Sequence, residues 1–174
     1  MQGFKASIPH NERQGCILDS MNNTLKFIIA IVAPFAAGAI GNLATIPNIP
    51  TWYETLNKPW FNPPNEVFGP VWSVLYLLMG LSLYIVWSSK KRTSRNGYIA
   101  FSVQLVLNSL WSIVFFGLHQ PWWALLVILA LIFAIIMTMR EFWKSSKLST
   151  WLLVPYIAWV SFATCLNFSI AFLN

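Results

Sequence analysis

The most constraining feature of this sequence is where its charges are missing. Asn96 to Met139 is a run of 44 residues without Asp, Glu, Lys or Arg, and further charge-free runs lie between Lys26 and Glu54, between Glu66 and Lys90, and after Lys147. A helix crosses the roughly 30 Å hydrocarbon layer with about 20 apolar residues. Each shorter run therefore holds one crossing. The longest holds two, divided at Gly117, Leu118, His119, Gln120 and Pro121, where Gly and Pro mark a turn. Only 9% of the 174 residues are charged, against about 25% in an ordinary soluble domain, and 57% are hydrophobic. The fold class that follows is an all-α membrane protein, a bundle of five transmembrane helices. The expected helices are about 25–45, 69–89, 97–117, 121–143 and 148–172, within a single membrane domain 21–174. Residues 1–20 read as a polar, disordered tail, and Met21 is an alternative start.

A cleaved signal peptide is the rival reading of the first span. Lys26 precedes an apolar run and Ala37, Gly38, Ala39 resembles a cleavage site, but the run is longer than a usual signal core. In the same span Ala33, Ala37 and Gly41 recur every fourth residue, a small-residue stripe that suits close packing inside the bundle or at a dimer interface.

All but one of the 11 Lys and Arg residues fall in the tail or in the second and fourth connections; Lys58 alone falls on the other side. By the positive-inside rule the N-terminus is cytoplasmic and the C-terminus and first loop are outside. The net charge of +6 then reflects topology and contact with anionic lipid, with no support for a nucleic-acid partner.

Apart from Lys26 at the cytoplasmic end of the first and Arg140 and Glu141 at that of the fourth, the expected spans carry no Asp, Glu, Lys, Arg or His, which argues against a carboxylate-driven pump. A retinal Schiff base would need a buried Lys. His10 and His119 are isolated, so no metal site assembles by spacing, and Cys16 and Cys165 imply no disulfide framework. There is no phosphate-cradling glycine loop.

What remains is aromatic rings and uncharged polar groups. Gln104, Asn108, Trp111 and Phe115 share one face of the third helix, Tyr156, Trp159, Ala163 and Asn167 one face of the fifth, and Trp72, Tyr76, Met79 and Leu83 one face of the second. At 1.5 Å per residue, Asn108 and Trp159 lie about 16 Å from the cytoplasmic side and Trp111 about 21 Å. The expectation is a pocket in the outer half, lined by flat rings, with Asn108 and Tyr156 as polar fixings and Gln104 as a further candidate. Interhelical hydrogen bonding is the alternative role for Asn108 and Asn167. Residues 46–68, with Pro47, Pro50, Pro59, Pro63 and Pro64 among Trp52, Tyr53, Trp60 and Phe61, read as a stiff lid without regular structure. Trp87, Trp122, Trp123, Trp143 and Trp151, at helix ends, read as headgroup anchors, and Pro155 as a bend in the last helix.

The residues Trp52, Tyr53, Leu56, Lys58, Pro59, Pro63 and Pro64, then Pro70, Trp72, Leu75, Tyr76 and Gly80, then Leu107, Asn108, Trp111, Phe115 and Phe116, and finally Pro155, Tyr156, Trp159, Phe162, Ala163, Thr164, Leu166 and Asn167 resemble the translocator protein (TspO/MBR) family. These are the tryptophan-rich sensory proteins, also called peripheral-type benzodiazepine receptors. The resemblance covers about residues 25–174. It implies a five-helix bundle, often a homodimer, that binds porphyrins such as protoporphyrin IX and, in animal members, cholesterol and benzodiazepine-type drugs. Carried over by motif, Tyr53, Trp72, Asn108, Trp111, Trp159 and Ala163 line the pocket. For the bacterial members that degrade protoporphyrin in light, Trp72 and Trp159 correspond to the two tryptophans concerned. After Asn167 the chain reads Phe168, Ser169, Ile170, Ala171, Phe172, Leu173, Asn174, without the Tyr and basic residue of the animal cholesterol motif. That departure speaks against cholesterol as the native ligand and for a bacterial-type cytoplasmic membrane.

The expected function is thus a receptor, sensor or carrier for a hydrophobic tetrapyrrole, which is ligand or substrate, with no cofactor and no metal. The alternatives are light-dependent oxidation of protoporphyrin, sterol or lipid transport, and a scaffolding role.

Overall fold

A computed structural model describes residues 22–89, 91 and 93–174. The tail 1–20, the alternative start Met21, His10 and Cys16 lie outside the described residues. All regular structure among the described residues is helical, and five segments are long and apolar enough to cross a membrane.

Helix α1 spans Asn23–Asn48, α2 Asn65–Ser88 and α3 Arg95–Ser112, which continues as a π-helical turn over Ile113–Gly117. Helix α4 spans Pro121–Ser145, and the last span is divided into α5, Lys147–Leu152, and α6, Val154–Leu173. Starts are marked chemically. Asn22 Oδ1 accepts from the Thr24 N–H, Ser94 Oγ from that of Gly97 and Ser146 Oγ from that of Ser149, while Pro121 opens α4 where no N–H is needed. The division at Leu153 lies two residues before Pro155, which has no N–H to offer the carbonyl of Trp151, so a continuous helix is interrupted there.

Regular structure runs further into the first connection than the charge-free stretches indicate. The helix α1 reaches Asn48, α2 begins at Asn65, and a short 3-10 turn occupies Tyr53–Thr55, so the expected unstructured cover 46–68 narrows to 49–64 and contains a turn of its own. Pro47 lies inside that extension and, having no N–H, leaves the Leu43 carbonyl without its intrahelical donor.

The spans form a ring. The helix α1 packs between α2 and α3, α3 lies against α4, α4 lies against both α5 and α6, and α5 closes on α2. Between α2 and α6 contact is sparse, so the ring closes at the α5 end and splays at the other. The small-residue stripe packs inside the bundle: Ala37 and Gly41 are buried, and Ser109 Oγ donates to the Ala37 carbonyl at 2.7 Å. Glycine is required where helices nearly touch. A Cβ on Gly80 would lie 2.9 Å from the Ala30 carbonyl oxygen, and one on Gly38 would lie 2.3 Å from the Tyr76 ring.

The closed end is built from hydroxyls. Ser82 Oγ donates to the Ser149 carbonyl at 2.9 Å and Ser149 Oγ to the Ser82 carbonyl at 2.9 Å, both residues fully buried. Ser89 Oγ donates to the Ser145 carbonyl, the Thr93 and Ser145 hydroxyls are paired, and Ser94 Oγ donates to Glu141. Lys26, Arg95, Arg140, Lys144 and Lys147 belong to this same end, since each lies in the terminal turns that meet there. Small side chains and backbone carbonyls let helices approach closely and hold them without bulky packing.

Candidate functional site

The opposite end is built from rings. The seam between α2 and α6 is bridged by two aromatic pairs, Trp72 with Tyr156 at 6.4 Å between centroids and Phe68 with Trp159 at 6.0 Å. Trp72 also stacks on Tyr76 at 5.6 Å and lies 6.4 Å from Trp111, which in turn stacks on Phe115 at 5.7 Å. Pairs of this geometry contribute about 0.5–1.5 kcal/mol beyond the area they bury.

Polar groups are threaded through this cluster. The Tyr76 hydroxyl donates to Asn108 Oδ1 at 3.1 Å, and Asn108 Nδ2 donates to the Tyr156 hydroxyl at 3.5 Å, so one amide links α2, α3 and α6. One turn outward, Trp111 Nε1 donates to Asn167 Oδ1 at 3.0 Å and Asn167 Nδ2 to the Pro121 carbonyl at 2.8 Å. Among the described residues three side chains carry buried groups without a partner, the Trp87 indole N–H, the Gln104 amide and the Trp159 indole N–H, and the last two lie on the α3 and α6 stripes of the site. In an apolar interior an unmet donor or acceptor costs about 1–3 kcal/mol, so both are spare hydrogen-bonding capacity at the site.

Trp72, Asn108, Trp111 and Tyr156 therefore form one contiguous cluster, and Ala163 is buried on α6 one turn from Trp159. Trp72 and Trp159 are not face to face. Trp159 belongs to an adjoining group with Phe68 and with Phe162 at 5.5 Å, and no ring contact joins it to Trp72. A flat ligand placed between these indoles would have to part the α2–α6 seam.

The first connection covers the cluster and is fastened at several points. Tyr53 is buried, donates to Asn62 Oδ1 at 2.8 Å, packs on Phe116 at 5.5 Å and Phe115 at 6.4 Å, and carries the Lys58 ammonium 4.8 Å above its ring. Burial pushes its phenol above the ordinary tyrosine value, offset in part by Asn62. The π-helical turn explains the double contact with Tyr53: an extra residue in the turn lets the successive Phe115 and Phe116 rings both face the cover. Asn57 is tied to the chain end, its N–H donating to Asn174 Oδ1 at 2.9 Å while Asn174 Nδ2 donates to the Asn57 carbonyl at 3.1 Å.

His119, which spacing alone leaves without a role, is a further fastening. Its φ of 55° places it in the left-handed region, and its ring stacks on Trp52 at 4.4 Å while Nε2 lies 2.9 Å from Asn48 Oδ1. Because Asn48 Nδ2 donates to the Ala44 carbonyl, its oxygen faces the histidine and Nε2 carries the proton. Tyr76, Phe68 and Phe162 are the other residues that spacing did not assign to the site. Tyr76 and Asn108 each lie on a stripe that spacing reveals, but spacing does not show that the two are paired.

Trp122, Trp123, Trp143 and Trp151 are exposed, as headgroup anchors should be, whereas Trp87 is half-buried with an unpartnered indole N–H and a ring contact to Tyr98. No group of His, Cys, Asp and Glu that could hold a metal occurs among the described residues.

Five spans around a charge-free aromatic cluster, under a fastened first connection, define a polytopic helical membrane protein. Residues 30–173 match the TspO/MBR family, and the chain belongs to that family. It is 44% identical over 152 residues to the tryptophan-rich protein TspO of Archaeoglobus fulgidus, covering 87% of this chain and 99% of that one. It is 37% identical over 150 residues to protein CrtK of Rhodobacter capsulatus, covering 85% and 92%, and 38% identical over 122 residues to the human translocator protein, covering 68% and 72%.

Proposed function

We propose that the protein is a receptor or carrier for hydrophobic tetrapyrroles, protoporphyrin IX and haem-related molecules, which also accommodates benzodiazepine-type drugs. The observation that carries this reading is the α2–α6 seam, where helix contact is sparse and the bridging is by aromatic rings and the Tyr76–Asn108–Tyr156 link. Rings can rotate to accept a flat π-system and regain their stacking on it. Asn108, Tyr156 and Trp111 supply orientation through hydrogen bonds already present, and Gln104 and Trp159 supply unused ones. The domain is the single five-helix unit 21–174 after a polar tail, with its N-terminus in the cytoplasm, its C-terminus outside, and a bacterial-type cytoplasmic membrane as its residence.

The test is a dark titration of the purified protein with protoporphyrin IX, followed by tryptophan quenching, and then illumination of the complex. Saturable quenching with a stable porphyrin spectrum is expected, weakened in the Trp72→Phe, Trp159→Phe double variant. Absence of saturable quenching overturns the reading. Loss of the porphyrin bands in light, abolished in the double variant, would instead establish the photo-oxidative reading, which the buried, unpartnered indole of Trp159 favours as an electron donor shielded from water.

A further inference from the structure

The seam between α4 and the fifth span carries a cavity at the basic end, remote from the aromatic cluster. It is a groove of about 350 Å³ lined by Ile136, Met139, Arg140, Trp143, Thr150 and Ile157. Its floor is closed by the Thr150 hydroxyl, which donates to the Met139 carbonyl at 3.2 Å. Its walls are apolar toward the middle of the span, with Ile136 and Ile157, and its mouth carries Arg140 and Trp143, both exposed.

The charges at the mouth are unevenly satisfied. Glu141 is occupied by Lys144 at 2.5 Å and by Ser94, and the Lys147 ammonium lies 5.5 Å over the Trp143 ring. Arg140, beside Glu141, makes no hydrogen bond or ion pair with any described residue. A groove that is greasy along its length, with a guanidinium that makes no hydrogen bond and meets Glu141 only through space, and with an indole at the headgroup level, matches a phospholipid in both halves: an acyl chain in the slot and an anionic phosphate at the mouth.

We propose that this groove binds one anionic phospholipid, its chain between Ile136 and Ile157 and its phosphate on Arg140. A lipid seated here would brace α4 against the divided last span, where the helix is broken at Leu153. The proposal stands apart from the tetrapyrrole reading and shares no residue with it.

The full-length protein in detergent would be incubated with dioleoyl phosphatidylglycerol or dioleoyl phosphatidylcholine and the retained lipid counted by native mass spectrometry. One phosphatidylglycerol should be held in preference to phosphatidylcholine. Arg140→Gln should lower that preference about fivefold, the effect of one basic side chain at an anionic surface. Ile136→Trp, which fills the slot, should reduce retention of both lipids, while Arg95→Gln, at the same end but outside the groove, should leave the preference unchanged. Equal retention of the two lipids by the parent protein would overturn the proposal. So would an equal loss of preference in Arg140→Gln and Arg95→Gln, which would make the effect one of total charge, or full retention of both lipids by Ile136→Trp.

Discussion

The two ends of the bundle are held by different chemistry. At the basic end Ser82, Ser89, Thr93, Ser94, Ser145 and Ser149 clasp neighbouring helices through short hydroxyl contacts. At the outer end Trp72, Tyr156, Phe68 and Trp159 touch across a seam that has little backbone contact behind it. A hydroxyl clasp has one geometry and fails when a partner moves by an ångström. Ring contacts fall off gently and can be exchanged for others of equal quality. The difference bears on which end can yield: under the proposed function the basic end keeps its width, and the ring-bridged end is where the bundle admits a ligand.

The sharpest way to break this contrast is Gly38→Val. Its Cβ alone would lie 2.3 Å from the Tyr76 ring, so the ring must leave Asn108. We expect a loss of about 3 kcal/mol in unfolding free energy from overpacking, measured by thermal or denaturant melting in micelles, and a protoporphyrin affinity about tenfold weaker. Unchanged affinity would remove Tyr76 and Asn108 from the site. Next in size is the Ser82→Ala, Ser149→Ala pair, which strips both hydroxyls from a fully buried contact. It should lower stability by about 2 kcal/mol while leaving porphyrin quenching of the folded protein as it was. A change in affinity as large as the change in stability would erase the distinction between the ends.

His119→Ala removes the stack on Trp52 and the bond to Asn48. It should cost about 1 kcal/mol or less and speed the association of protoporphyrin in stopped-flow quenching, since one fastening of the cover is gone. Slower association would mean that the histidine guides the ligand rather than holding the cover. The smallest effect expected is with pH. Tyr53 has its phenol raised by burial, so the folded protein keeps the proton at pH values where the unfolded chain has begun to lose it. Stability from this group is complete below the ordinary tyrosine value of about 10 and declines as pH rises through the raised folded value. Tyr53→Phe should flatten that alkaline decline in a melting series; an identical decline in the variant would assign it elsewhere.

Much of this was legible from residue order. Charge-free runs are a direct record of lipid crossings, so all five spans are found, and the 3.6-residue period put Asn108 and Trp111 on one face of α3 and Tyr156 and Trp159 on one face of α6. Pro155 marked the interruption of the last span for a reason internal to the backbone. What periodicity does not carry is which stripes meet. The neighbour relations of the helices come from close approaches such as Tyr76 over Gly38, and these separated Trp72 from Trp159 although each stripe was correctly drawn. The π-helical turn at Ile113–Gly117 depends on one surplus residue, which no regular period reveals. His119 was read as isolated because its partners, Asn48 and Trp52, are about 70 residues away along the chain.

The most direct test of a yielding outer end and a fixed basic end is amide hydrogen exchange of the protein in nanodiscs, with and without protoporphyrin IX. The account predicts added protection in the cover 49–64 and in the outer turns of α2 and α6 around Trp72 and Trp159, with no change around Ser82 and Ser149. Protection that appears at the Ser82–Ser149 clasp instead, or saturable porphyrin binding that alters exchange at neither end, would contradict it.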